Sequence, residues 1–94
     1  MFDLRVGAEG IVKFSGRLDA SAAEMVHDKL RALGGPMTAD FSELEYISSA
    51  GLGLIIETYK RLTGQGQSFR IVNLTPKVRN IFAYAGLDKL LRIE

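Results

Sequence analysis

The sequence predicts an α/β domain with a mixed central sheet of about four or five strands and about three or four helices, in the order ββαβαβαβ. Three observations carry this. Short alternating apolar runs recur between stretches of helical spacing. Helix start and stop residues bracket each of those stretches. The 94 residues suffice for one small domain with one core, and no linker, repeat or low-complexity tract divides them.

In chain order, Phe2, Leu4 and Val6 alternate with Asp3 and Arg5, which gives a first strand with one buried face. Gly7-Ala8-Glu9-Gly10 reads as a hairpin turn, and Ile11 to Phe14 as the returning strand. Ser21-Ala22-Ala23-Glu24 matches a capping box and predicts a first helix opening at Ser21. Ala22, Val26, Leu30 and Leu33 form its apolar stripe, and Gly34-Gly35-Pro36 ends it. Met37 to Phe41 reads as a short strand, followed by a polar turn. The second helix runs from about Ser49 to Thr63, with Leu52, Ile55, Ile56, Tyr59 and Leu62 inward. With Ser48 as the cap, Ile47 and Leu52 make a hydrophobic staple. Gly64-Gln65-Gly66 stops that helix, and Ser68 to Asn73 is the next strand. Thr75 caps a third helix with Pro76 at its first position. Val78, Ile81, Phe82 and Ala85 line it, Gly86 ends it, and Leu90 to Ile93 is a last edge strand.

Composition narrows the function classes. A net charge of +1 gives no electrostatic footprint for nucleic acid or an anionic membrane. The absence of cysteine excludes disulfides and thiolate metal sites. No apolar run is long enough to span a bilayer, and Met1-Phe2-Asp3-Leu4-Arg5 lacks the pattern of a signal peptide, so a cytoplasmic protein is expected.

The search for catalytic chemistry is mostly negative. His27 is the only histidine and is expected on the exposed side of the first helix. No set of ligands is patterned for a metal. Gly51-Leu52-Gly53 fails as a dinucleotide fingerprint because Ile56 occupies the third glycine position, and no P-loop ending is present. Gly51 and Gly53 are instead expected to let the helix start pack closely on the sheet. Lys77, Arg79 and Arg92 are too few for a nucleic-acid patch. No cofactor and no catalytic activity are expected.

The informative stretch is Asp40-Phe41-Ser42-Glu43-Leu44-Glu45-Tyr46-Ile47-Ser48-Ser49-Ala50-Gly51-Leu52-Gly53-Leu54. It places two serines at the mouth of an apolar helix. Serine is a preferred N-cap, because its hydroxyl accepts a hydrogen bond from an otherwise unpaired helix N–H. The helix dipole also favours added negative charge there. A serine in this place serves equally as a cap or as a phosphate carrier.

This stretch resembles the core motif of the STAS domain, the anti-sigma-factor antagonist family. Gly16-Arg17-Leu18-Asp19 resembles the family's segment before the first helix. Asn73-Leu74-Thr75-Pro76-Lys77-Val78 and Ala85-Gly86-Leu87-Asp88-Lys89 resemble its C-terminal pattern. The resemblance covers nearly the whole chain and implies an STAS-like fold. It implies phosphorylation of Ser49, two residues before Gly51, by a partner that is both anti-sigma factor and ATP-dependent serine kinase. Ser48 is the alternative acceptor and stands where the family usually has aspartate. The loop before Met37 is short for the family. The unphosphorylated form would bind the kinase and free the sigma factor, and a serine phosphatase would reset the phosphorylated form. The implied partner surface comprises Asp19, Ser21, Ser48, Ser49, Ala50, Gly51 and Leu52, with Leu52 either core or half-exposed. Asp19 and Ser49 are expected on one edge, with Asp19→Ala weakening binding while leaving stability nearly unchanged. Two rival functions are an STAS subunit of an ABC-type lipid or solute importer that binds its ATPase, and a small enzyme or ligand-binding domain with an anion pocket near Ser49.

Overall fold

The computed structural model describes residues 1–94. The element order is ββαβαβαβ: β1 (Phe2–Val6), β2 (Ile11–Leu18), α1 (Ala20–Arg31), β3 (Met37–Ile47), α2 (Ser49–Gly64), β4 (Phe69–Val72), α3 (Pro76–Tyr84) and β5 (Arg92–Ile93). The strands lie in the sheet in chain order. β1 pairs antiparallel with β2, and the other pairs are parallel. A short 3₁₀ turn at Ala8–Gly10 joins β1 to β2.

Parallel sheets ordinarily bury both faces and read as continuous apolar runs. This one buries a single face. Val12, Phe14 and Leu18 of β2, Met37, Ala39 and Phe41 of β3, and Phe69 and Ile71 of β4 point into the core, while their neighbours are partly or fully exposed. The helices pack on that face, and 21 buried residues form one cluster. Phe41 lies at its centre, edge-on to Phe14 at 5.0 Å and tilted against Phe82 of α3 at 6.0 Å. Such aromatic pairs add about 0.5–1.5 kcal/mol each beyond the area they bury.

β3 is longer than expected, because the predicted polar turn after Phe41 is continuous strand. Lys13 pairs with Asp40 but Ser15 with Glu43, and Gly16 pairs with Leu44 but Arg17 with Tyr46. β3 therefore carries an extra residue at two places. Its inward positions run 37, 39, 41, then 44, then 47. Each bulge stretches the usual spacing of two into three. At the first bulge Asp40 accepts the Ser42 N–H at 2.9 Å, a local bond typical of turns made inside a strand. β2 likewise runs on to Leu18, past its expected end at Phe14. Gly16 sits there at φ 91°, where a β-carbon would collide with the Met1 carbonyl, so that a side chain has no room.

The helix faces also differ in detail. α1 opens at Ala20 rather than Ser21. In α2 the fully buried side chains are Leu54, Ile55, Thr58 and Leu62, and Leu52, Ile56 and Tyr59 are only partly buried. The buried Thr58 hydroxyl is satisfied by donating to the Leu54 carbonyl at 2.8 Å. Ala85 is exposed, and Leu87 and Leu91 fill the core beyond α3 instead. At the far end of the α1–α2 pair, Arg61 donates to the Leu33 and Leu30 carbonyls at 2.9 and 3.0 Å. It thereby ties α2 to the end of α1 and to the turn that follows it.

Candidate functional site

β2 and β3 run parallel, and Leu18 pairs with Ile47. Both chains leave the sheet at one level and turn directly into helices, so the starts of α1 and α2 share an edge. This is the carboxyl edge of the strands, where ligand sites gather in open α/β sheets. The Ser48 N–H donates to the Leu18 carbonyl at 2.9 Å, and the Ser48 hydroxyl donates to the same oxygen at 3.2 Å. One carbonyl thus ties the two helix starts together, and Asp19 lies on the edge that bears Ser49.

The α1 cap corrects the sequence reading. Asp19, not Ser21, is the N-cap, and its carboxylate accepts the Ala22 N–H at 2.9 Å. The proposed Ser21–Glu24 box is not formed, because the chain turns helical one residue earlier and leaves both side chains exposed. Asp19 is therefore structural as well as edge-placed, and Asp19→Ala is no longer expected to leave stability unchanged.

Ser48 is the N-cap of α2, and its hydroxyl accepts the Gly51 N–H at 3.1 Å. With its bond to Leu18, that hydroxyl is engaged as donor and as acceptor. Ser49 is the first residue of α2 and is exposed, and its hydroxyl has no protein partner within hydrogen-bond distance. Ala50 beside it is also exposed, and Leu52 is half-buried against the core.

The two glycines behave differently. A side chain at Gly51 would meet Ile47 and the Leu18 carbonyl at 2.7 Å, so close packing explains this residue as expected. Being buried, Gly51 offers no surface to a partner. At Gly53 a side chain would meet nothing within 4 Å. The close-packing expectation fails there. A glycine inside a helix costs about 0.8–1 kcal/mol relative to alanine, and at Gly53 the fold gains no packing in return.

Gly53 faces a groove of about 900 Å³ between α1 and α2. Ala20, Ala23 and Ala50 also line it, and Glu24, Asp28 and Glu57 face it. His27 is half-buried in this groove rather than on the outer side of α1. Its ring nitrogens lie 3.0 Å from the Glu57 carboxylate and 3.2 Å from that of Asp28. Its place follows from α1 packing beside α2, a tertiary pairing with no local sequence signal. No three His, Cys, Asp or Glu side chains converge as a metal site.

On the open face of the sheet, Arg17 stacks over the Tyr46 ring at 4.5 Å, close to the same edge. Deeper along β3, partial burial alone would raise the Asp40 carboxyl. Hydrogen bonds from the Ser42 N–H and hydroxyl and from the Asn73 amide, with Lys13 nearby, hold it below its ordinary value instead. Asn73 adopts φ 61° at the end of β4, and this bond helps to fix it there.

The chain matches the family model described as "Mlab, STAS domain" over residues 3–92. It is 28% identical over 86 residues to the anti-sigma-B factor antagonist of Bacillus subtilis (strain 168), covering 88% of this chain and 79% of that protein. Among solved structures it is similar to an anti-sigma factor antagonist from Mycobacterium paratuberculosis, with a TM-score of 0.82 and 26% identity over 99% of this chain and 83% of the other. It also superposes on the Bacillus cell fate determinant SpoIIAA in its phosphorylated form, with a TM-score of 0.71 and 22% identity over 100% of this chain and 91% of the other, a likeness of fold.

Proposed function

We propose an anti-sigma factor antagonist function for this chain, which belongs to the STAS domain family. The unphosphorylated form binds an anti-sigma factor that is also an ATP-dependent serine kinase, and so releases the sigma factor. Phosphorylation of Ser49 ends that binding, and a serine phosphatase restores it. The chain is the substrate of these enzymes, performs no catalysis itself and acts in the cytoplasm.

The observation that carries the proposal is the division of labour between the two serines. The Ser48 hydroxyl is committed to the cap and to Leu18. The Ser49 hydroxyl is exposed and unengaged at the first position of the helix. Phosphoryl transfer needs an accessible oxygen. The Ser49 oxygen attacks the γ-phosphorus of ATP, ADP leaves, and the hydroxyl proton passes to a base on the kinase. A phosphate brings about −1.5 to −2 charge and three acceptors. At a helix start the outward N–H groups and the dipole accommodate it, so the domain stays folded. In the middle of a docking surface the same group imposes a desolvation cost and a bulk that the interface has no room for. About 1.4 kcal/mol changes affinity tenfold, so a few kcal/mol suffice to release the partner.

The test is incubation with the candidate kinase and ATP, read by intact mass and by binding. The wild-type protein gains one phosphate and then dissociates. Ser49→Ala gains none and stays bound, while Ser49→Asp binds weakly. Binding to a transporter ATPase, with no phosphate taken up from any serine kinase, would favour the transporter-subunit reading instead.

A further inference from the structure

Gly53 carries a helix-propensity cost that the packing of the fold does not require, since a β-carbon there would meet nothing within 4 Å beyond its own turn of α2. That vacant place opens into the groove between α1 and α2, which is also lined by Ala50, the chain neighbour of Ser49. The groove is lined by Ala20, Ala23, Ala50 and Gly53 together with Leu54 and His27. Its charge is one-sided: Glu24, Asp28 and Glu57 line it, and no lysine or arginine does. In a chain of net charge +1 this acidity is local, not compositional. Glu24 has no ion-pair partner, and Asp28 and Glu57 share the single His27 ring.

We infer that this groove receives a lysine or arginine side chain of the anti-sigma partner, and that Gly53 stays bare so that the side chain can lie close against α2. The inference rests on the anti-sigma reading above and names the chemistry of that partner. A long cationic side chain lays its apolar stem along Ala20, Ala23, Gly53 and Leu54 and sets its charge beside the carboxylates. An acidic segment would be repelled by three carboxylates. A purely apolar one would strip water from them without replacing their hydrogen bonds. Charge complementarity therefore selects the cation. The groove supplies affinity, and Ser49 at its mouth supplies the switch.

The test measures binding to each purified ATP-binding anti-sigma factor of the same genome, at low and at high salt. Gly53→Leu fills the vacant place. It is expected to keep or raise the melting temperature and to weaken binding about tenfold or more. The combined variant Glu24→Gln, Asp28→Asn, Glu57→Gln keeps the groove open and removes its charge. It is expected to bind about tenfold more weakly at low salt and to lose most of the wild-type salt dependence. Wild-type affinity in both variants, with Ser49→Asp still releasing the partner, would overturn the groove assignment and leave the switch standing. A partner indifferent to Ser49→Asp defeats the underlying reading, and the groove assignment with it. Concentration-dependent self-association that Gly53→Leu abolishes would give the groove to a second copy of this chain and also overturn the inference.

Discussion

Two rows of residues run along the first turns of α2 and differ in what touches them. The inward row, Ser48, Gly51 and Ile55, faces the ends of β2 and β3. The Ser48 hydroxyl is half-buried and doubly bonded, Gly51 is pressed against Ile47 and Leu18, and Ile55 is fully buried. The outward row, Ser49, Ala50, Gly53 and Glu57, is exposed; the Ser49 hydroxyl has no hydrogen-bond partner, and a β-carbon at Gly53 would meet nothing within 4 Å. Residues of one type therefore do opposite jobs one or two places apart. A serine caps while its neighbour is free to react. One glycine makes room for the fold, and the next leaves room for something outside it.

The largest expected effect tests the inward row. Gly51→Ala places a carbon 2.7 Å from the Leu18 carbonyl, which cannot yield without moving the β2–α1 corner. A loss of about 1–3 kcal/mol is expected. For a domain of this size each kcal/mol is about 4–8 °C in melting temperature, within reach of calorimetry. Next come the caps. Ser48→Ala and Asp19→Ala should each cost about 1 kcal/mol in denaturant unfolding, with Ser48→Ala still phosphorylated. Smaller, and opposite in sign, is Gly53→Ala, which should stabilise by about 0.5–1 kcal/mol. Destabilisation by Gly53→Ala as large as that by Gly51→Ala would erase the distinction between the rows.

The smallest expected effect lies outside α2 and serves as a control. The Asp40 carboxyl titrates below its ordinary value of 3.8 in the folded chain. A depressed folded value makes the contribution of Asp40 complete above the unfolded value and lost as pH falls through the folded one. Asp40→Asn should therefore flatten the stability curve only below about pH 4 and leave partner binding near neutral pH unchanged. A binding defect at pH 7 in this variant would extend the site onto the open sheet face.

Local chemistry made most of this legible in the sequence. Ser48 three residues before Gly51, and Thr75 before Pro76, announce their helices because a cap is a short-range bond. The element order follows from periodicity in the same way. What escaped the sequence depends on contacts between segments distant along the chain. From sequence β3 reads as ending at Phe41, because two bulges break the alternation on which a strand is recognised, and their register is set by pairing with β2. Ser21–Glu24 offers a sound local box, while the level at which β2 leaves the sheet gives the capping role to Asp19. Gly51 and Gly53 look alike in sequence, and only the crossing of α2 over Leu18 separates them. His27 sits in a groove whose second wall is thirty residues away.

The most direct test of the switch is peptide mapping of the protein after treatment with its kinase and ATP. Ser48 and Ser49 are one residue apart and differ in the whole of their hydrogen bonding, so the position of the phosphate reads that difference itself. Phosphate on Ser49 alone is the predicted result. Phosphate on Ser48, or on neither serine, would contradict the account.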